Sequence, residues 1–300
     1  MNNALGSEKR AHLSDRPVSP PKIFVDGLAM SYATSNGSRT VLENVKIDIQ
    51  VHEFVSIVGY SGAGKTTLLR CISGLERPTA GSVQFDGKAI SGPPEKLALI
   101  FQDYGRSLFP WLRVLDNVML PLRANKKMTA KQRAATAMAA LDAVGLSEAV
   151  RQYPWQLSGG MQQRVAIARG LACEPEVLLM DEPFASVDAQ TRSDLEDLVL
   201  GICRRYRMTT ILVTHDVDES VYMSDRVVVL GGRPTSIAEF IEVDLPAGRD
   251  QVATKSLPEF IALRTRVLQA VRSVRHANGR PDRDGGGPTT VAGRNPDAGD

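Results

Sequence analysis

The chain has 300 residues, of which 43% are hydrophobic and 23% are charged, and its formal net charge is +2. This length and composition are typical of a globular protein with one main domain of about 230 residues. The small net charge argues against a nucleic-acid-binding protein, and no apolar run approaches the roughly 18 residues that cross a bilayer.

The first residues lack the apolar core of a signal peptide, and the three cysteines are widely spaced along the chain. We therefore expect a cytosolic protein in which Cys71, Cys173 and Cys203 are reduced thiols. Residues 1–21 are polar and end in a proline-rich stretch, so we expect them to be disordered.

Two kinds of strand pattern follow along the chain. Alternation of apolar and polar residues in Ile23–Val25, Val41–Val51 and Ser82–Phe85 predicts a small antiparallel sheet. Short continuous apolar runs predict a second sheet of parallel strands that helices cover on both faces. These runs are Phe54–Val58, Leu97–Phe101, Val177–Met180, Thr210–Val213 and Val227–Leu230.

A helical pattern occupies residues from about 104 to 172, and its clearest part, Ala130–Val144, ends at Gly145. This pattern predicts a helical subdomain inserted into an α/β core. In residues 251–275, apolar side chains recur every three or four positions, which predicts an amphipathic helix that packs on its own domain. Residues 276–300 are rich in glycine, proline, arginine and aspartate, and we expect a disordered tail.

A glycine-rich loop directly follows the apolar run Phe54–Val58 and precedes a predicted helix. Such a loop directs backbone N–H groups and the positive end of the helix dipole at one anion, as in nucleotide-binding proteins. We expect Lys65 to reach the β- and γ-phosphates of the nucleotide and Thr66 to bind Mg²⁺. The predicted nucleotide-binding residues of this loop are Gly59, Ser61, Gly62, Gly64, Lys65, Thr66 and Thr67.

Two adjacent carboxylates, Asp181 and Glu182, end the apolar run Val177–Met180. Parallel strands bring such residues to the same sheet edge as the phosphate loop. Asp181 is therefore a candidate Mg²⁺ ligand, and Glu182 is a candidate general base that orients the attacking water.

A serine and two glycines, Ser158, Gly159 and Gly160, open another predicted helix, where a capping serine and exposed N–H groups favour a phosphate. The segment Leu157–Arg164 resembles the signature motif of the ATP-binding subunits of ABC transporters, and Ser158 stands 23 positions before Asp181. The resemblance implies that this motif closes over ATP held by a second subunit. The protein would then be a head-to-tail dimer with two ATP molecules at its interface.

Four more positions match this family. The resemblance implies that Gln102 senses Mg²⁺ and the attacking water, that the loop ending at Asp188 contacts the partner subunit, that His215 bonds the γ-phosphate and that Tyr32 stacks on adenine. Glu182, His215, Gln102 and Lys65 would be the catalytic residues, and Thr66, Gln102 and Asp181 would hold Mg²⁺.

The resemblance covers about residues 22–245, within a predicted domain of residues 22–250. It implies an α/β fold with a P-loop NTPase (RecA-like) core, an antiparallel β subdomain and an inserted α-helical subdomain. Two residues depart from the family pattern, since His52 replaces a frequent glycine and Tyr60 a frequent proline. Neither change removes a catalytic group, and histidine tolerates a positive φ better than most residues.

Three short segments are most similar in sequence to importers of the nitrate, sulfonate and taurine group. They are Phe109–Leu112, Val243–Pro246 and Pro258–Phe260. That resemblance implies a homodimer or pseudo-symmetric dimer of ATP-binding subunits, peripheral on the cytoplasmic face of the inner or plasma membrane. Two permease subunits would dock near Leu108–Trp111, and a solute-binding protein would act through them. The same aromatic cluster could instead anchor the helical subdomain.

Other assignments are an importer of a different small solute, or a soluble ABC ATPase without membrane subunits. The second is disfavoured because only about 90 residues separate the phosphate loop from the signature motif, without sustained heptads, and because the chain carries one such domain.

Overall fold

The computed structural model describes residues 20–35, 37–102 and 107–277. Nearly all of the two segments expected to be disordered lies outside these residues. In the described part of the chain, ten strands form two sheets and helices pack on both.

The smaller sheet has four antiparallel strands in the order β2-β1-β4-β5. Its strands are β1 (Ile23–Thr34), β2 (Gly37–Ile49), β4 (Ala80–Phe85) and β5 (Lys88–Ala89). Buried residues alternate with exposed ones along β2, as expected where one face of a sheet packs on the core and the other faces water. The predicted antiparallel sheet is therefore confirmed.

The larger sheet has six strands in the order β10-β9-β3-β8-β7-β6. They are β3 (Phe54–Val58), β6 (Leu97–Ile100), β7 (Val177–Asp181), β8 (Thr209–Thr214), β9 (Arg226–Gly231) and β10 (Ser236–Glu242). All neighbours are parallel except the β9–β10 pair. Every residue of β3, β7, β8 and β9 is buried, which explains the continuous apolar runs in the sequence.

Seven α-helices connect and cover these strands in the described residues. They are α1 (Lys65–Ile72), α2 (Val114–Met119), α3 (Ala130–Ala143), α4 (Gly159–Leu171), α5 (Ala189–Arg205), α6 (Val217–Met223) and α7 (Pro258–Ala277). Helices α2, α3 and α4 pack against one another through buried side chains that include Val118, Leu141 and Val165. None of the described helices is long and apolar enough to cross a membrane.

The C-terminal helix packs on the same domain, as expected, through the buried side chains of Phe260 and Val267. It contacts α6, β9 and β10. The helix starts later than the predicted boundary at residue 251, because the Asp250 carboxylate accepts hydrogen bonds from the N–H groups of Val252 and Ala253 (2.9 and 2.7 Å) and turns the chain. Pro258 then starts α7, a favoured place for proline.

The carboxyl ends of the central parallel strands lie at one edge of the larger sheet. The phosphate loop follows β3, Gln102 comes soon after β6, Glu182 follows β7 and His215 follows β8. The topology therefore brings four segments, distant in sequence, to a common edge.

Candidate functional site

The phosphate loop takes a conformation that its glycines allow. Gly64 has φ 76° as the residue before α1, and a side chain there would place its Cβ only 2.9 Å from Leu42 Cδ2. The left-handed backbone therefore favours glycine at this position, and the nearby Leu42 side chain leaves little room for a Cβ. The first N–H groups of α1 have no acceptor within the helix and are directed at the loop, as a phosphate site needs.

Lys65 bends back over this loop from the first turn of α1. Its Nζ donates to the carbonyl oxygens of Gly59 (3.0 Å) and Tyr60 (3.4 Å). Burial lowers the pKa of the Lys65 ammonium below its usual value. The nearby carboxylates of Glu182 and Asp181 offset only part of this effect. Phosphate oxygens would compete with the two carbonyls for this ammonium group.

Thr66 and Asp181 lie next to each other, with the Thr66 hydroxyl donating to Asp181 Oδ1 at 3.3 Å. Burial raises the pKa of the Asp181 carboxyl, and the Thr66 hydrogen bond opposes this effect. A hydroxyl and a carboxylate are oxygen ligands of the kind that Mg²⁺ prefers, and a bound cation would also compensate the buried carboxylate. The residues present therefore fit the expected Mg²⁺.

Glu182 is the centre of the site because three predicted catalytic residues surround its carboxylate. Gln102 Nε2 donates to Oε2 at 3.1 Å, and His215 Nδ1 lies 3.1 Å from the same oxygen. Lys65 Nζ is 3.8 Å from Oε1. The three partners come from three different segments, so the sheet edge assembles the constellation that the sequence only suggested.

The backbone of Glu182 is unusual, with φ 44° in the left-handed region that non-glycine residues rarely adopt. Its N–H donates to Val213 O on β8 at 2.8 Å, which holds the strained turn in place. Such strain costs about 1–3 kcal/mol and is common at functional sites. No sequence pattern around Glu182 predicted this conformation.

Tyr32 lies beside α1, where its hydroxyl donates to Glu76 (Oη–Oε2 2.5 Å) and also interacts with Thr67. Burial and the Glu76 carboxylate raise the pKa of Tyr32. The ring is 37% exposed, so its place next to the phosphate-loop helix leaves a face that a nucleotide base could contact.

The signature segment forms a second cluster together with the start of α5. Ser158 caps α4 by accepting from Met161 N (3.3 Å), and Asp188 caps α5 by accepting from Thr191 N (3.0 Å). A Cβ on Gly160 would lie 2.5 Å from Thr191 Cγ2, so the glycine lets the two helix starts approach closely. Ser158, Gly159 and Asp188 are all exposed.

Apart from Tyr32 and the other phosphate-loop residues, the predicted site residues fall into two groups. The structure brings together Lys65, Thr66, Gln102, Asp181, Glu182 and His215, which contact one another directly. The signature residues and Asp188 belong to α4 and α5, and the hydrogen bonds described for them stay within those helix starts.

Gln163 is a functional candidate that the sequence reading missed. It is fully buried on α4, and its Nε2 donates to the carbonyl of Pro183, the residue after Glu182. The available signal was the position of Gln163 on the helix. It lies one turn before Ile167, on the same buried face. A buried amide on an apolar face needs a specific partner.

The predicted docking loop needs one correction, since Leu108 is only 2% exposed and belongs to the core. The amide of Asn117, also buried, accepts from Phe109 N (2.8 Å) and donates to the carbonyls of Phe109 and Leu112 (3.1 and 3.0 Å). Trp111 meets Phe109 edge-on with ring centroids 5.3 Å apart, and 69% of it is exposed. Asn117 therefore ties down the loop, and most of Trp111 is exposed on it instead of packing into the subdomain.

The two departures from the family pattern have structural explanations. His52 has φ 66°, so it does adopt the turn for which glycine is common. The Tyr60 hydroxyl donates to Gly232 O at 2.9 Å and ties the phosphate loop to the turn between β9 and β10.

Acidic side chains around the buried Glu219 support the loop that carries His215. The Thr214 hydroxyl donates to Glu219 Oε2 at 2.7 Å, and Asp216 caps α6 by accepting from Asp218 N and Glu219 N. Arg192 Nη1 lies 3.4 Å from Asp216 Oδ2. Burial raises the pKa of the Glu219 carboxyl to about 8; Thr214 and Arg192 oppose this, and the charges of Glu196 and Asp216 add to it.

This raised pKa predicts a specific effect of pH on stability. A carboxyl that binds its proton more tightly in the folded chain stabilises the fold at low pH and loses that contribution as pH rises from about 4.5 to about 8. Glu219→Gln should therefore gain stability over the wild type across this range, by at most about 1.4 kcal/mol per pH unit, and level off above it. Urea unfolding at pH 5 to 9 measures the difference.

Glu95→Gln, at an exposed glutamate, is the control for replacing one carboxylate by an amide. A Glu219→Gln advantage that is flat from pH 5 to 9 would contradict the raised pKa.

Comparison with known proteins places these features in a family. The family model described as ABC transporter matches residues 42–185. A solved dimeric ATP-binding cassette, in a post-hydrolysis state bound to ADP and Pi, superposes with a TM-score of 0.66 and 31% identity. The match covers 74% of this chain and 98% of that one.

The names of three of the curated relatives state a transported solute. The nitrate import ATP-binding protein NrtD of Synechocystis is 40% identical over 80% of this chain and 91% of its own length. The aliphatic sulfonates import ATP-binding protein SsuB 1 of Xanthomonas axonopodis is 45% identical over 72% and 85%. The bicarbonate transport ATP-binding protein CmpC of Synechococcus elongatus is 41% identical over 82% of this chain, which spans only 37% of that longer protein.

Proposed function

This chain belongs to the ATP-binding proteins of the ABC transporter family, and from that premise we propose that it is the ATP-hydrolysing subunit of an importer for a small anion. The observation that carries the proposal is the contact of one carboxylate, Glu182, with Lys65, Gln102 and His215. A carboxylate, an amide, an imidazole and an ammonium group thus lie within contact of one another, which supports a γ-phosphate bound beside them.

The chemistry follows from these positions. Glu182 would accept a proton from the attacking water, which Gln102 would help to orient. Lys65 and the N-terminus of α1 would compensate the negative charge that develops on the phosphate oxygens. His215, 63% exposed at its side chain, would bond the γ-phosphate.

Thr66, Asp181 and Gln102 would hold Mg²⁺ through their oxygen atoms. Bound there, the ion would neutralise charge on the β- and γ-phosphates. The hydrogen bond between Thr66 and Asp181 already brings two of these groups together at 3.3 Å.

The exposed signature cluster supports a dimer in which each ATP contacts two chains. Ser158 and Gly159 lie at the exposed start of α4, and Asp188 lies at the exposed start of α5. Because these two helix starts are adjacent, the three residues share one exposed surface. Helix starts of this kind bind phosphate through their N–H groups. In the proposed dimer, ATP held by the phosphate loop of the second chain has its γ-phosphate against this surface, next to Asp188.

The relatives support an anion importer without selecting the anion. The names of these relatives include nitrate, sulfonates and bicarbonate at 40–45% identity, so overall similarity does not separate these cargoes. In the proposed transporter, permease subunits bind the cargo, and this chain lies at the cytoplasmic side of the membrane as a peripheral subunit. An alternative is action without permease subunits.

Trp111 provides the test between a transporter and an ATPase without membrane partners. Removing its exposed indole should weaken docking of the permease, because exposed aromatic side chains often dominate interfaces. Trp111→Ala should lower transport in reconstituted vesicles by about tenfold or more and leave hydrolysis by the isolated chain nearly unchanged.

Tyr206→Ala is the matched control, because it removes an aromatic ring that is 51% exposed at the end of α5. It should leave transport unchanged. Equal transport by Trp111→Ala and the wild type would place permease docking elsewhere, and a chain that copurifies with no membrane protein would favour the alternative.

A further inference from the structure

A short segment between β10 and α7 contacts both α5 and α6. We call this segment, residues 249–257, the strap. It is a series of turns, stabilised by the Asp250 carboxylate and by the hydrogen bond from Asp250 N to Thr254 Oγ1 (2.9 Å). Thr254 is buried, so the strap is packed against the domain.

The strap is bound to α5 by two polar side chains. Gln251 Nε2 lies within hydrogen-bond distance of Ser193 O, Glu196 Oε2 and Asp197 Oδ1 (3.2, 3.1 and 3.0 Å). Lys255 Nζ lies 3.6 Å from Glu196 Oε2. Glu196 is only 2% exposed, so Lys255 supplies the cation that a buried carboxylate needs.

The same strap also reaches α6. Lys255 Nζ lies 4.9 Å from the centre of the Tyr222 ring, and the Tyr222 hydroxyl donates to Asp197 Oδ1 at 2.5 Å. Arg249 Nη2 donates to Ser224 O, directly after α6, at 3.1 Å. Lys255 therefore joins α5 to α6, while Gln251 fastens the strap to α5 between Ser193 and Asp197.

Both helices begin beside predicted site residues. Helix α5 begins next to Asp188, and α6 begins two residues after His215. Arg192 joins these starts, since Nη1 contacts Asp216 Oδ2 and Nη2 donates to Val187 O, both at 3.4 Å. The two helices and the strap form one connected body that carries Asp188 and His215.

We propose that Gln251 and Lys255 are positioning residues for ATP hydrolysis, which fix His215 and Asp188 relative to Glu182 by joining α5 to α6. The inference rests on the proposed ATPase function. Neither residue touches the nucleotide site, so their effect passes through the helices. A small misplacement of a catalytic group lowers the rate of the chemical step more than it weakens substrate binding.

The test is steady-state hydrolysis of Mg-ATP by the full chain, at a temperature where circular dichroism shows every variant folded. Lys255→Met removes the charge and keeps the length of the side chain. It should lower kcat about tenfold and leave KM within about twofold, because the phosphate loop is untouched. Lys255→Arg should restore kcat, since it restores the cation beside Glu196.

Two further variants keep the test decisive. Gln251→Glu would place a third carboxylate next to Glu196 and Asp197 and should also lower kcat. This variant tests the inference if Lys255→Met does not fold. Lys131→Met, at an exposed lysine on α3, should match the wild type.

The inference is overturned if both strap variants retain the wild-type kcat, or if kcat and KM change together as expected of general loss of structure. A wild-type chain that does not hydrolyse ATP would reject the proposed function itself. The two failures are therefore distinguishable.

Discussion

Glu182→Gln should reduce ATP hydrolysis by at least about 100-fold while ATP binding persists. Glutamine preserves the size of the side chain and can still accept hydrogen bonds, so the surroundings of the site should change little. It carries no charge and accepts no proton from water, and Lys65 loses the carboxylate 3.8 Å from its Nζ. Phosphate release and equilibrium binding of a fluorescent ATP analogue measure the two properties separately.

The same variant should accumulate a dimer at saturating Mg-ATP, because ATP that is not hydrolysed continues to join two chains. Light scattering after gel filtration would detect it. Glu174→Gln is a matched control, since Glu174 precedes the same strand and also has a positive φ, 48°. It should hydrolyse ATP like the wild type. A Glu182→Gln variant with normal hydrolysis would remove Glu182 from the mechanism.

The fold was predictable from sequence because its main signals are local. Four fully buried parallel strands require continuous apolar runs, and the turn before Lys65 requires Gly64 at φ 76°. Parallel topology then determines which loops meet at one edge. The positions of Glu182, Gln102 and His215 around one site follow from these local signals and the family resemblance.

The support for the site was not predictable in the same way, because it depends on contacts between residues far apart in sequence. Gln163 reaches Pro183, and Gln251 reaches Asp197, 54 positions earlier. A lone glutamine has no pattern that names its partner. Leu108 shows the opposite problem, since an apolar residue in a loop looked like part of a surface and proved to be core.

Gln163 also has a consequence for the proposed dimer. It lies one turn from Gly159 on the signature helix and donates to the carbonyl next to Glu182 of the same chain. In the proposed dimer, the signature helix contacts ATP held by the partner, so this buried amide links one ATP site to the catalytic carboxylate of the other. Gln163 is fully buried, so water does not compete for this hydrogen bond.

The central claim is that each ATP is shared between the phosphate loop of one chain and the signature segment of its partner. Lys65→Met removes the ammonium from the phosphate loop and should weaken Mg-ATP binding by a factor of about 30 or more. Ser158→Arg removes the α4 cap and places a large side chain on the exposed signature surface. Each variant alone should be nearly inactive.

Mixing these two inactive variants tests the claim most directly, with phosphate release as the measurement. In a head-to-tail mixed dimer, one ATP site contains both defects and the other contains neither. An equal mixture should therefore recover up to about one quarter of the wild-type rate, since about half of the dimers are mixed and each has one intact site. A mixture no more active than the separate variants would show that the signature segment serves its own phosphate loop, and would contradict the shared site.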